Sequence, residues 1–163
     1  MSQLKEFGTG TDSVILDLDD VTGYSPVETI QPPGGGDNPP PPRYTMNVHL
    51  TGTVIDLTFA DQTVIDDAYQ TISSQFQTRV GDTACTAGGL TFDAGAVTTI
   101  GALEMQPAAP GQNGEGGQLY LFSCDIHLKG TAATLSWRSD KANGNAPRQK
   151  IIDKVNQTDL AAA

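Results

Sequence analysis

This chain is short of positive charge, aromatic rings, cysteine and long apolar runs. Its 9 Lys and Arg face 19 Asp and Glu, a formal net charge of −10. A surface that acidic favours solubility and repels phosphate backbones, which argues against general nucleic-acid binding. Phe, Trp and Tyr together make up 6% of the residues, so any core must be thin for the chain length. No apolar run reaches the length that a bilayer-spanning helix needs. The opening MSQLKEFGTG lacks the apolar stretch of a secretory signal. Synthesis in the cytoplasm without a signal peptide, and no membrane partner, are the expectations. The Asn156-Gln157-Thr158 sequon is then expected to go unused.

Catalytic signatures are missing as well. The chain has no GxSxG, no HExxH and no CxxC pair. Gly34-Gly35-Gly36 lacks the lysine and following helix of a phosphate loop. Asp17-Leu18-Asp19-Asp20 is acidic, but Val21 and Thr22 break the ligand spacing of a calcium loop, so it reads as an acidic turn. The two cysteines, Cys85 and Cys124, read as free thiols. Cys124 alternates with Tyr120, Phe122, Ile126 and Leu128 and is expected on an apolar face as a small buried hydrophobe. No enzyme activity, cofactor or metal is expected from these residues.

What the chain does have is a repeated pattern. YTMNVHLTGTVIDLTF, from Tyr44 to Phe59, aligns without a gap on FSCDIHLKGTAATLSW, from Phe122 to Trp137. The two share His49/His127, Leu50/Leu128, Gly52/Gly130, Thr53/Thr131 and Leu57/Leu135. Upstream, Val14, Leu16, Asp17, Val21, Thr22 and Glu28 fall against Leu90, Phe92, Asp93, Val97, Thr98 and Glu104. Downstream, VIDDAYQT from Val64 resembles IIDKVNQT from Ile151. Ile30-Gln31-Pro32 before the first Pro/Gly segment likewise resembles Met105-Gln106-Pro107 before the second. Four matched blocks in the same order predict a tandem duplication, and an internal repeat governs the whole fold assignment.

The elements follow from periodicity. Residues 1–13 are polar and Gly-rich and read as an N-terminal arm. Val14 to Leu18 is a short strand, and Val21 to Ile30 a weaker one interrupted by Gly23 and Pro26. Met46, Val48 and Leu50 share one face of the next strand, while beyond Gly52 the apolar set becomes Ile55, Leu57 and Phe59. A one-residue slip exchanges the faces of a strand, so a β-bulge or bend is expected at Gly52 and again at Gly130. A tight hairpin at LTGT and LKGT is the alternative. A helix follows, capped by Asp61 or Thr63, with Ile65, Ala68, Ile72 and Phe76 on one face and Gly81 at its end. Pro147 opens its shorter counterpart, which carries Ile151, Ile152 and Val155.

The predicted fold is therefore α+β, mainly β: a duplicated β-β-β-(β)-α unit whose antiparallel sheets are each covered by one helix. The first repeat spans 14–80 with a Pro/Gly-rich loop at 31–43. The second spans 81–158 with its loop at 107–117, and 159–163 form a tail. His49 and His127, the only two histidines, are expected on the polar strand face, solvated, with no consistent third ligand beside them.

Abundant Thr, Gly, Ala and Gln, arms at both ends and stiff Pro/Gly loops resemble the virion structural proteins of tailed bacteriophages. Capsid decoration proteins and tail-tube or neck subunits are the nearest classes. The resemblance implies a structural subunit of the virion, made in the host cytoplasm, whose partners are its own copies and other virion proteins. It also implies contacts through the arm and loops: Lys5, Phe7, Pro32, Pro33, Pro40, Arg43, Pro107 and Pro110. The runner-up is a single-stranded nucleic-acid-binding module, because tandem ββββα units are similar in topology to the Pur-alpha and Whirly class. Arg43, Tyr44, Tyr120, Lys129, Trp137, Arg138 and Lys141 are the side chains that reading would use.

Overall fold

A computed structural model describes residues 3–8, 13–34, 36–37, 39–107 and 119–162. The chain divides into two compact units, Met1–Asp82 and Thr83–Ala163. Among the described residues the fold is mainly β, with antiparallel sheets and two helices.

In the first unit β1 (Leu4–Phe7) pairs antiparallel with β2 (Val14–Asp17). A 3-10 turn, Leu18–Asp20, leads to β3 (Val21–Tyr24), β4 (Glu28–Ile30), β5 (Arg43–Leu50) and β6 (Thr53–Phe59). β6 lies along β5 from Tyr44↔Phe59 to Leu50↔Thr53, so β3 and β4 share the opposite edge of β5. Between them the chain skips past Pro26, which has no amide to offer a ladder. Ser25 fills the gap: its N–H donates to the Asn47 carbonyl at 2.9 Å, and its Oγ accepts from the Asn47 N–H at 2.8 Å. The expected single strand from Val21 to Ile30 is thus two strands.

Helix α1 (Gln62–Val80) closes the unit. The Asp61 carboxylate accepts from the Thr63 N–H at 2.9 Å, which satisfies one of the amides a helix start leaves open. Gly81 ends the helix at φ 61°. Ile65, Ala68, Ile72 and Phe76 are its buried face, packed on β5, β6 and the 3-10 turn. Tyr24 meets Tyr69 and Phe76 edge-on, with centroids 5.7 and 5.3 Å apart. Full burial of each large apolar side chain there contributes about 2 kcal/mol.

The second unit runs through β7 (Ala84–Ala87), β8 (Leu90–Asp93), a 3-10 turn at Ala94–Ala96, β9 (Val97–Ile100), β10 (Glu104–Pro107), β11 (Tyr120–Leu128), β12 (Thr131–Ser139) and α2 (Ala146–Ala162). That is the element order of the first unit, and the registers agree pair by pair. Val21↔Leu50, Gly23↔His49 and Tyr24↔Val48 correspond to Val97↔Leu128, Thr99↔His127 and Ile100↔Ile126. Both ladders shift register at the same step. Thr22 Oγ1 donates to the His49 carbonyl at 3.2 Å, and Thr98 Oγ1 to the His127 carbonyl at the same distance. Asp17 accepts from the Asp19 N–H, and Asp93 from the Gly95 N–H, at 3.1 and 2.8 Å. The second core gathers Cys85, Leu90, Phe92, Ala96, Cys124, Ile126, Leu128, Leu135 and Ile151.

Three expectations are corrected here. Residues 1–13 are not all an arm, because Leu4–Phe7 is a strand with Phe7 buried; LKEF is too short and polar to announce itself. The change of parity at Gly52 and Gly130 is a two-residue hairpin, not a bend. Leu50 pairs with Thr53 and Leu128 with Thr131, and positive φ at Gly52 (82°), Lys129 (20°) and Gly130 (91°) turns the chain. Finally, α2 continues through Ala162, so most of the expected tail 159–163 is helix; the closing alanines are the best helix formers and nothing breaks the run before them.

Candidate functional site

His49 and His127 occupy the same register position, yet their environments differ. His49 is 4% exposed, against the expectation of a solvated residue, whereas His127 is exposed. Burial holds the His49 imidazole below its ordinary 6.5. The unfolded chain therefore takes up a proton near pH 6.5 that the folded chain resists, and stability is lost as pH falls below that value. The slope approaches about 1.4 kcal/mol per pH unit. Between pH 7.5 and 5.5 the denaturation midpoint is expected to fall, and His49→Gln is expected to flatten that fall. An unchanged slope in the variant would rule His49 out as its source.

Cys85 and Cys124 are both buried and free. Desolvation pushes both thiols above the ordinary 9.0, against smaller opposing effects of Lys150 and Lys154 on Cys85 and of Arg148 on Cys124. Thiolates are the reactive form, so a disulfide reagent at pH 7.5 is expected to label neither thiol in the native protein and both after denaturation. Rapid native labelling would contradict the packing described. Among the described residues, no three His, Cys, Asp or Glu side chains gather as metal ligands would. No described helix is long and apolar enough to cross a membrane.

The residues expected at contacts are scattered in character. Lys5 is exposed on β1, but Phe7 is 3% exposed and belongs to the core. Its ring is already spent on its own chain, which corrects its assignment as a contact. Pro33, Pro40, Arg43 and Pro107 are exposed and Pro32 is half-buried. Pro110 lies outside the described residues, as do most of the loop 107–117 and residues 9–12.

The side chains of the nucleic-acid reading do not converge within the second unit. Lys129 sits in the β11–β12 turn, while Tyr120, Trp137 and Arg138 lie at the far end of that hairpin. Six residue steps separate the Leu128↔Thr131 pair from Phe122↔Trp137, about 20 Å of strand. Trp137 is partly buried and donates its Nε1–H to the Gly144 carbonyl at 2.8 Å.

A groove of about 390 Å³ opens beside Trp137, lined also by Thr86, Ala87, Gly88, Pro147 and Lys150. Its origin is legible from the register. Ala87 pairs with Leu90 where Phe7 pairs with Val14. The first unit places a buried ring at that position and the second leaves a methyl group.

Open strand edges are the more distinctive surfaces. Among the described residues β2 pairs with β1 alone and β9 with β11 alone; β1, β4, β6, β7, β10 and β12 likewise have a single partner strand each. Leu4 and Ile15 are 70% and 62% exposed, on the same face of the β1–β2 hairpin. Charge divides unevenly as well. Residues 1–82 carry 3 Lys/Arg against 12 Asp/Glu, a net of −9, and residues 83–163 carry 6 against 7, a net of −1. No family model, no curated protein and no solved structure matches the chain.

Proposed function

We propose that the chain is a non-enzymatic structural subunit of a phage-like particle, a capsid decoration or tail-tube/neck protein, built by tandem duplication of one unit. The observation that supports this reading is the register-for-register agreement of β1–β6 with β7–β12. A duplicated unit carries related strands and loops twice, so copies can meet through repeated contacts. A ring of such chains then has twice as many near-equivalent units as chains. The exposed Pro-rich segment at 39–41 and the open edges supply surface for those contacts. The subunit would be made in the host cytoplasm and act in the virion.

The test is the absolute molar mass of the purified chain by light scattering over a hundredfold concentration range, followed by electron microscopy. A defined ring or a growing polymer is expected. A monomer throughout, with tight binding of single-stranded oligonucleotides, would overturn the reading in favour of a nucleic-acid-binding module.

A further inference from the structure

Resting on that subunit reading, we infer that copies of this chain join head to tail by strand addition, the open edge of β2 in one copy pairing with the open edge of β9 in the next. The backbone sets out the donors and acceptors. Leu18 N–H donates to the Gln3 carbonyl at 2.8 Å, so in the antiparallel alternation Leu16 and Val14 bond to β1 while Ile15 and Asp17 turn their backbone groups outward. Likewise Gly101 N–H donates to the Asp125 carbonyl at 2.7 Å. Thr99 then bonds to β11 and the backbone of Ile100 points outward.

Neither edge carries the usual guards. Soluble proteins blunt open edges with lysine, proline or a covering element. Val97-Thr98-Thr99-Ile100 has no proline and no charge, and β2 has no proline and only Asp17, its last residue, charged; both are otherwise made of residues that favour strands. Ile15 is 62% exposed and Leu4 beside it 70%, an apolar pair left in water at one of the two edges.

Charge selects the pairing. β2 runs into Asp17, Asp19 and Asp20. Basic residues flank β9: the backbone N–H of Lys129 donates to the Ala96 carbonyl at 3.1 Å at one end, and the Arg148 guanidinium Nε to the Gly101 carbonyl at 2.9 Å at the other. An antiparallel addition sets the acidic end of β2 against the Lys129 end of β9. Two first units meeting face to face would instead bring together two surfaces of net −9. The two edges are different surfaces, so each added copy leaves one of each open, and growth stops only when a ring closes. Main-chain bonds supply the affinity of such a junction and the flanking charges its direction.

The experiment compares wild type, Ile15→Pro, Lys129→Glu and the double variant Asp19→Lys with Lys129→Glu by light scattering, with circular dichroism confirming the fold of each. Proline at position 15 removes an outward amide and leaves the bonds to β1 in place. The expected result is at least a tenfold loss of association in Ile15→Pro, a several-fold loss in Lys129→Glu, and recovery in the double variant. Amide exchange on wild type alone supplies a readout independent of the variants: Ile15, Asp17 and Ile100 are expected to slow together as the protein assembles. Assembly with those amides still exchanging fast, or undiminished in Ile15→Pro, overturns strand addition and leaves the subunit reading standing. A wild type that is monomeric at every concentration overturns strand addition, and one that also binds single-stranded oligonucleotides tightly overturns both.

Discussion

Phe76→Ala is expected to lower the stability of the protein by about 4 kcal/mol, the upper part of the range for deleting a buried ring. Phe76 is fully buried on α1. Its ring meets Tyr24 edge-on at 5.3 Å and lies 5.9 Å from the Arg79 guanidinium. That guanidinium is itself held by a hydrogen bond to the Val21 carbonyl. The neighbours therefore cannot all collapse into the space: Tyr24 is fixed in β3 and Arg79 is tied to the same strand. A void persists, and the cost is the lost transfer energy plus the cavity. Since whole domains are stable by only about 5–15 kcal/mol, the urea midpoint followed by circular dichroism should fall steeply. A loss below about 1 kcal/mol would show that the helix face is not packed as described.

Gly144→Ala is the converse test, adding one carbon where there is no room. A Cβ at Gly144 would lie 2.0 Å from Phe122 Cζ and 2.3 Å from both Cε atoms. Phe122 is 3% exposed in β11, paired with Met105 on one side and Trp137 on the other, so its ring cannot simply swing away. The Gly144 carbonyl also receives the Trp137 indole, so displacing the loop costs that bond too. Overpacking of this kind costs about 3 kcal/mol, and the lost bond adds roughly 1 kcal/mol. Trp137 is the sole tryptophan, so its emission reads this site directly and is expected to shift red. Adding Phe122→Leu should recover part of the stability, because the two side chains compete for one volume. An alanine variant as stable as wild type, with unchanged emission, would contradict the close approach.

Much of the fold was legible because it is written locally. Ile65, Ala68, Ile72 and Phe76 repeat at helical spacing, and those four are the buried face of α1. Asp61 and Gly81 carry the chemistry of helix ends, and they sit at those ends. The hairpins at Gly52 and Gly130 were ambiguous for a geometric reason. A two-residue turn and a one-residue bulge both invert the alternation of apolar residues, so periodicity cannot separate them. The turn signal was also muted, since Thr51 and Lys129 stand where asparagine or glycine is usual. Burial of His49 was not legible at all. His127 stands between Ile126 and Leu128 much as His49 stands between Val48 and Leu50, yet it stays exposed. The open edges of β2 and β9 were hidden because a strand's partners are a property of topology, and neither strand carries the proline or lysine by which an edge is often marked.

The hairpin-by-hairpin registers have a consequence for how the chain is made. Within each unit, the most distant strand pair joins Val97 to Leu128, 31 residues apart (128 minus 97). Every ladder inside a unit can therefore close soon after its second strand leaves the ribosome. At about 5–20 residues per second, the first unit has several seconds to form before its counterpart is complete. Adjacent units with matching ladders invite strand exchange between them. Short-range pairing counters that hazard, since a strand that finds its partner early is no longer available to the strands that follow.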